Sequence, residues 1–287
     1  MDRILFGDNQ FFGVNHMSEE KARAQSMRFK DSQSIMKVLD IAYEAGIKTF
    51  MCTTHDRIAD ICNIIRQNPT RYADFKFYPG MPYAHKYANA VTEDGVLKAL
   101  KKFTSGNVLG TIFRGGKAIA KQDVIALMKL LVDTEMKMLE GLSTEIIFLQ
   151  NVMVDLLLGL NLQKVFVEFA RYIKERYHAE PGFFTMNLPL LLDVLEDCGV
   201  ENPIICSSIN KSGFRMCGGR TLYEKVIAER KFRPIAMSIL ASGAIPPKEA
   251  VEYICSLKDV RSIVFGASSK NHILQTKDLI DEYTYSD

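Results

Sequence analysis

The sequence predicts an α/β chain folded as one (β/α)8 TIM barrel, and three observations carry that reading. Short apolar runs rich in β-forming residues alternate with amphipathic helical stretches about eight times, the rhythm of βα units around a parallel sheet. No linker, low-complexity tract or shift in composition divides the 287 residues, so 1–287 reads as a single domain. The length is close to the roughly 250 residues typical of such barrels, and 47% hydrophobic with 24% charged residues is globular composition.

Taken in order, strands are expected at Arg3–Phe6, Ile47–Cys52, Phe75–Tyr78, Val108–Phe113, Gly182–Met186, Ile204–Ser208, Ile235–Ile239 and Ser262–Phe265. The intervening stretch Ser34–Glu44 is apolar at Ile35, Val38, Leu39 and Ala42, the spacing of a helix with one buried face. Similar helical patterns cover 93–103, 122–139, 163–177, 189–197, 221–229, 247–257 and 270–281. Glu145–Leu149 is ambiguous: it reads as a further strand, or, after Ser143-Thr144-Glu145, as part of a capped, buried helix. The eight-strand reading places it in a helical insertion around 120–160. That insertion carries more apolar surface than one barrel face needs, which predicts a homodimer contact there.

Composition excludes several classes of partner. Thirty-six Lys and Arg against 34 Asp and Glu give a net charge of +2 with no basic block, so nucleic acid is not an expected ligand. The opening MDRILFGDNQFFG lacks a basic region followed by an apolar stretch, which predicts no signal peptide and a cytoplasmic protein. The most apolar segment, Ile146 to Leu160, is interrupted by Gln150, Asn151 and Asp155, so no membrane span is expected. Six cysteines without a CxxC pair read as reduced, mostly buried thiols.

Several strings resemble the aldo-keto reductase superfamily. ILFGDNQFFG is similar to that family's first strand and turn, and AYEAGIKTF to its entry into strand 2. GFFTMNLPLLLDVLE, PIAMSILASGAI and SIVFGASSKNHI resemble later strand-and-turn motifs, the last two most specifically. The resemblance implies NADP or NAD lying across the C-terminal face of the barrel, with an Asp, Tyr, Lys and His tetrad reducing carbonyls. It implies cofactor contacts at Ser238, Leu240, Gly266, Ser268, Ser269 and Lys270. The tetrad itself is not matched. Met51 stands in the aspartate's place and Asp56 in the tyrosine's. The lysine's place falls near Pro79–Gly80, and the histidine's near Phe113 or, with a further strand, Gln150. Met237 stands where a tyrosine would stack on nicotinamide, while Asn187 keeps the amide that contacts the carboxamide. Losing a positioned proton donor removes a factor of about 10²–10⁴ in rate.

Active sites of such barrels lie on the loops after the strands, and three polar clusters occupy those loops. The first is Asp8, Asn9, Gln10 and His16 after strand 1, Thr53 to Asp56 after strand 2, and Tyr83, His85 and Lys86 after strand 3. His55, Asp56, His85, Lys86 and Tyr83 are the candidate catalytic groups, because an imidazole titrates near neutral pH and a carboxylate can orient it. The histidines have no HxH or HExxH spacing, so no metal is assigned.

The second cluster, Ser242-Gly243-Ala244 and Gly266 to Lys270, has the glycines, hydroxyls and helix start of a phosphate cradle, or of a plain helix cap. The third is Asn187, Ser207, Ser208, Asn210 and Lys211. Asn9, Gln10, His16, Arg114, Asn187 and Asn210 are the candidate substrate contacts.

Three functions fit these residues. The first is a barrel enzyme that works on a small polar metabolite, phosphorylated or sugar-like, by acid–base chemistry and with no nicotinamide cofactor required. The second is an NAD(P)H-dependent carbonyl oxidoreductase with a displaced donor, Tyr83 or His55. The third is a non-catalytic barrel that senses a nucleotide or metabolite, since fold does not fix function.

Overall fold

A computed structural model describes residues 1–13, 18–83 and 121–284. Eight parallel strands close into a barrel in chain order: β1 (Ile4–Gly7), β2 (Thr49–Thr53), β3 (Lys76–Met81), β4 (Ile146–Leu149), β5 (Glu180–Thr185), β6 (Ile204–Ser208), β7 (Arg233–Met237) and β8 (Ser262–Phe265). Closure comes from β1 pairing with β8 in the register Ile4↔Ile263, Leu5↔Val264 and Phe6↔Phe265.

Ten α-helices surround the barrel among the described residues: α1 (Glu19–Arg28), α2 (Ser32–Glu44), α3 (Asp56–Arg66), α4 (Lys121–Met136), α5 (Asn151–Gly159), α6 (Lys164–Tyr177), α7 (Leu188–Asp197), α8 (Arg220–Glu229), α9 (Pro247–Ser256) and α10 (Lys270–Thr284). None is long and apolar enough to cross a membrane. The face read from the sequence of α2 is the buried one, with Ile35, Val38, Leu39 and Ala42 inside, and Asp31 caps its start by accepting the Ser34 amide at 2.7 Å.

The fourth strand corrects the sequence expectation. The barrel closes with Ile146–Leu149 between β3 and β5, not with Val108–Phe113, which lies outside the described residues, as does the helix expected at 93–103. All four residues of β4 are buried. A parallel strand covered on both faces has no polar alternation, so its sequence is indistinguishable from a buried helix by period alone. Ser143 does not cap a helix here; its carbonyl accepts the Phe77 amide at 2.8 Å and leads the chain into the sheet. The helical segment around 120–160 is therefore α4 and α5 with β4 between them.

Leu5, Met51, Tyr78, Ile146, Phe148, Ile204, Cys206, Ile235 and Val264 fill the barrel interior as a packed plug rather than a channel. Two glycines admit its largest rings: a Cβ on Gly182 would lie 2.4 Å from the Phe148 ring, and one on Gly80 would lie 2.6 Å from that of Phe184. The two rings pack with centroids 4.7 Å apart, and Phe184 closes the floor beneath the C-terminal face. All six cysteines are free, with Cys217 the exposed one.

Candidate functional site

A cavity of about 580 Å³ opens at the C-terminal ends of the strands, within the range that holds small ligands and cofactors. Its floor is Met51, Gly80, Phe184 and Val264; polar groups reach it from Asp8, Gln10, Thr53, Tyr83, Gln150 and Asn151. The opposite rim carries Phe214, Arg215, Ser238, Leu240, Ser242, Gly243 and Gly266.

Asp8 follows β1 directly and is 6% exposed. Its Oδ2 accepts both the amide and the hydroxyl of Thr53, each at 2.7 Å. Burial pushes the carboxyl pKa up, and the Thr53 hydrogen bonds pull it partly back. Asp8 therefore keeps its proton to higher pH than an ordinary aspartate.

Tyr83 lines the same cavity. Its phenol is shifted up by burial first and by the nearby Asp8 charge second, against a lowering by Arg57. The Tyr83 backbone is fixed from behind by Glu135 of α4, whose carboxylate accepts the Tyr83 amide at 3.0 and 3.1 Å and the Thr54 hydroxyl. Glu135 is 1% exposed. Its sequence signal is an acidic residue on the buried face of α4, in step with Met128, Leu131 and Val132.

His55 occupies the N-cap of α3, with Nδ1 accepting the Arg57 amide at 3.1 Å, its ring stacked on Phe12 at 4.2 Å and facing Tyr83 at 5.9 Å. It does not line the cavity, and neither does Asp56, the first residue of α3. His16, His85, Lys86 and Arg114 lie outside the described residues.

Asn9 and Gln10 form the single 3-10 turn after β1, and both face the cavity. Asn187 caps α7 through the Leu190 amide at 3.4 Å. Asn210 is fully buried and pins the following loop, accepting the Phe214 amide at 2.8 Å and donating to the Phe214 carbonyl at 2.9 Å. That loop presents Phe214 and Arg215 to the cavity. Lys211 pairs with Glu249 at 2.9 Å.

Of the residues expected to hold a cofactor, Ser238, Leu240 and Gly266 line the cavity. Ser268, Ser269 and Lys270 stand beyond it at the start of α10, where Ser269 accepts the His272 amide at 3.4 Å. Among the described residues no cluster of three or more His, Cys, Asp or Glu side chains is placed to hold a metal ion.

No protein-family profile matches the sequence, and no curated protein is similar to it in sequence. Solved structures are similar in fold. A chain from Pseudomonas aeruginosa provisionally assigned to the aldo-keto reductases superposes with a TM-score of 0.61 at 13% identity, over 98% of this chain and 90% of that one. An aldo-keto reductase from Bacillus halodurans in its holo form gives 0.54 at 13% identity, over 97% and 86%. A mutant of Gox0644 in complex with NADPH gives 0.50 at 10% identity, over 97% and 83%. The chain is a closed eight-stranded parallel barrel with a cavity at its C-terminal face. Its fold is that of the aldo-keto reductases.

Proposed function

We propose that the chain is an oxidoreductase that uses NADH or NADPH to reduce a small polar carbonyl compound, with Asp8 as the proton donor. The observation that carries this reading is the buried Asp8 carboxyl, shifted toward its protonated form and opening on the cavity. A carbonyl that accepts hydride becomes an alkoxide and needs one proton, and a carboxyl whose pKa is shifted upward by burial holds a proton to give at higher pH than an ordinary aspartate. Thr53 holds Asp8 in place, and Glu135 sets the backbone of Tyr83, whose phenol borders the same space.

The cofactor fits the donor set of the opposite rim. Ser238 and Ser242 bring hydroxyls, and a Cβ on Gly243 would meet nothing within 4 Å, so the backbone is open to close approach. Reduced nicotinamide, when bound, supplies the hydride. Met51, Phe184 and Met237 give the cavity an apolar surface against which the nicotinamide ring would lie.

Titration with NADH and NADPH, followed by the emission of the reduced nicotinamide in a chain without tryptophan, is expected to saturate in the micromolar range. Absence of binding up to millimolar nucleotide removes the reading. The same Asp8 carboxyl favours a second reading, proton transfer on a small polar metabolite without hydride. Turnover with unchanged nicotinamide would select it.

A further inference from the structure

Asp155 is the one charged residue of α5 and stands half-buried against the end of β5. Its Oδ1 accepts the Thr185 hydroxyl at 2.7 Å and its Oδ2 the Met186 amide at 3.2 Å. The Thr185 hydroxyl oxygen in turn accepts the Asn187 amide at 2.8 Å, so one carboxylate on a helix fixes three consecutive residues of the neighbouring strand and turn. Burial raises the Asp155 pKa, and the two hydrogen bonds lower it only in part. An apolar residue between helix and strand would avoid that desolvation; what the carboxylate adds is a fixed backbone.

The backbone it fixes belongs to the cavity. Asp155 does not line that space, but Met186 does. The Met186 carbonyl accepts the Tyr223 hydroxyl from α8 at 2.8 Å and the Cys217 amide at 3.3 Å. Its sulfur lies 3.8 Å from the Ser208 hydroxyl, which is 3.2 Å from that of Ser238. Cys217 closes the loop after β6 that presents Phe214 and Arg215 to the cavity. Arg215 stands at φ 55°, in the left-handed region that favours glycine, so this loop is held by its contacts rather than by local preference.

We infer that Asp155 is a positioning residue for the cavity: through Met186 it holds the loop after β6, and with it Phe214 and Arg215, where a ligand meets them. The inference adds to the proposed function a residue that touches no ligand, and rests on that reading only for NADH as a probe.

NMR of isotope-labelled methionine methyl groups tests it without a ligand. Met186 reports the end of β5 and Met216 reports the loop, each assigned by its absence in Met186→Leu or Met216→Leu. Asp155→Leu is expected to shift both resonances and to leave that of Met36, on α2, in place. Asp155→Asn keeps an oxygen for the Met186 amide and an N–H for the Thr185 hydroxyl, and is expected to restore both. Should Asp155→Leu fail to fold, Thr185→Val, which keeps the volume and removes one of the two hydrogen bonds, is expected to shift the same pair. An unmoved Met186 overturns the inference, and so does a Met186 shift without one at Met216, since the loop is then held independently. NADH is expected to bind about tenfold more weakly to Asp155→Leu, as for a wall docked about a tenth of the time, and within about threefold of the parent to Asp155→Asn. Unchanged NADH affinity in Asp155→Leu overturns the role in binding. A parent chain that shows the methyl shifts but binds no NADH keeps Asp155 as the positioning residue and removes the reductase reading.

Discussion

Asp8 and Thr53 join the ends of two neighbouring strands: one carboxylate oxygen receives both the amide and the hydroxyl of Thr53 at 2.7 Å, beneath the cavity. The two hydrogen bonds favour the ionised form, yet burial outweighs them and the carboxyl is shifted up. Asp8→Asn keeps an oxygen for Thr53 and removes the proton. It is expected to lower kcat by about 10²–10⁴ with nucleotide affinity retained. A loss below about threefold would exclude Asp8 as the donor.

The same shift fixes a pH dependence of stability. The folded-state pKa of Asp8 lies above the unfolded one, so its contribution is fully present below the ordinary carboxylate range. It is lost as pH rises through the folded value. Asp8→Asn is therefore expected to be relatively more stable than the parent chain at neutral pH than at pH 3. Denaturant melts at the two pH values measure this; a difference of the opposite sign contradicts the upward shift.

His55 caps α3 and stacks on Phe12. His55→Ala is expected to cost about 1 kcal/mol of stability as a lost helix cap, with a smaller effect on turnover than Tyr83→Phe. Equal stability with abolished turnover would move the chemistry to the imidazole.

Glu135 ties α4 to the loops after β2 and β3. Removing its carboxylate in Glu135→Leu is expected to destabilise the fold by about 1.5–3 kcal/mol for each hydrogen bond to the charged group. Glu135→Gln retains acceptor oxygen and is expected to recover part of that loss in a urea melt.

Val152, Leu156 and Leu160, four residues apart along α5 and its C-cap, are 45%, 52% and 58% exposed, and Leu190 on the adjacent α7 is exposed as well. The homodimer expected from the apolar 120–160 segment places its contact on this stripe. Sedimentation is expected to give a dimer that Leu156→Lys converts to monomer. A monomeric parent chain removes the contact.

Strand existence was the most legible part of the sequence, because barrel strands are short, apolar and bounded by turns. Ile204–Ser208 and Ser262–Phe265 fall on the residues their sequence indicates. β4 was obscured by its burial on both faces, which erases the two-residue period. α1 carries almost no apolar face, so its sequence, EEKARAQSMR, offered no helical signal. At the site, the rule that function gathers after the strands reached Asp8, Gln10 and Tyr83. It also gathered Asn187, whose side-chain oxygen caps α7, and Asn210, whose amide is spent at both ends on the turn that follows it. Glu135 sits 52 residues from Tyr83 on a helix, and Asp155 sits 31 residues from Met186 on another. Chain position gave neither away.

The pairing of β1 with β8 governs when the barrel can close during synthesis. Asp8 and Gln10 precede seven of the eight strands in the chain, but the strand beside them ends at Phe265, and Gly266, against which Gln10 is turned, follows it. A nascent chain that has not yet released residues 262–266 from the ribosome has two open strand edges and half a pocket wall. Such edges are templates for pairing with other chains. A chain cut before that point leaves both edges unpaired, so the last strand closes the sheet and the pocket wall together.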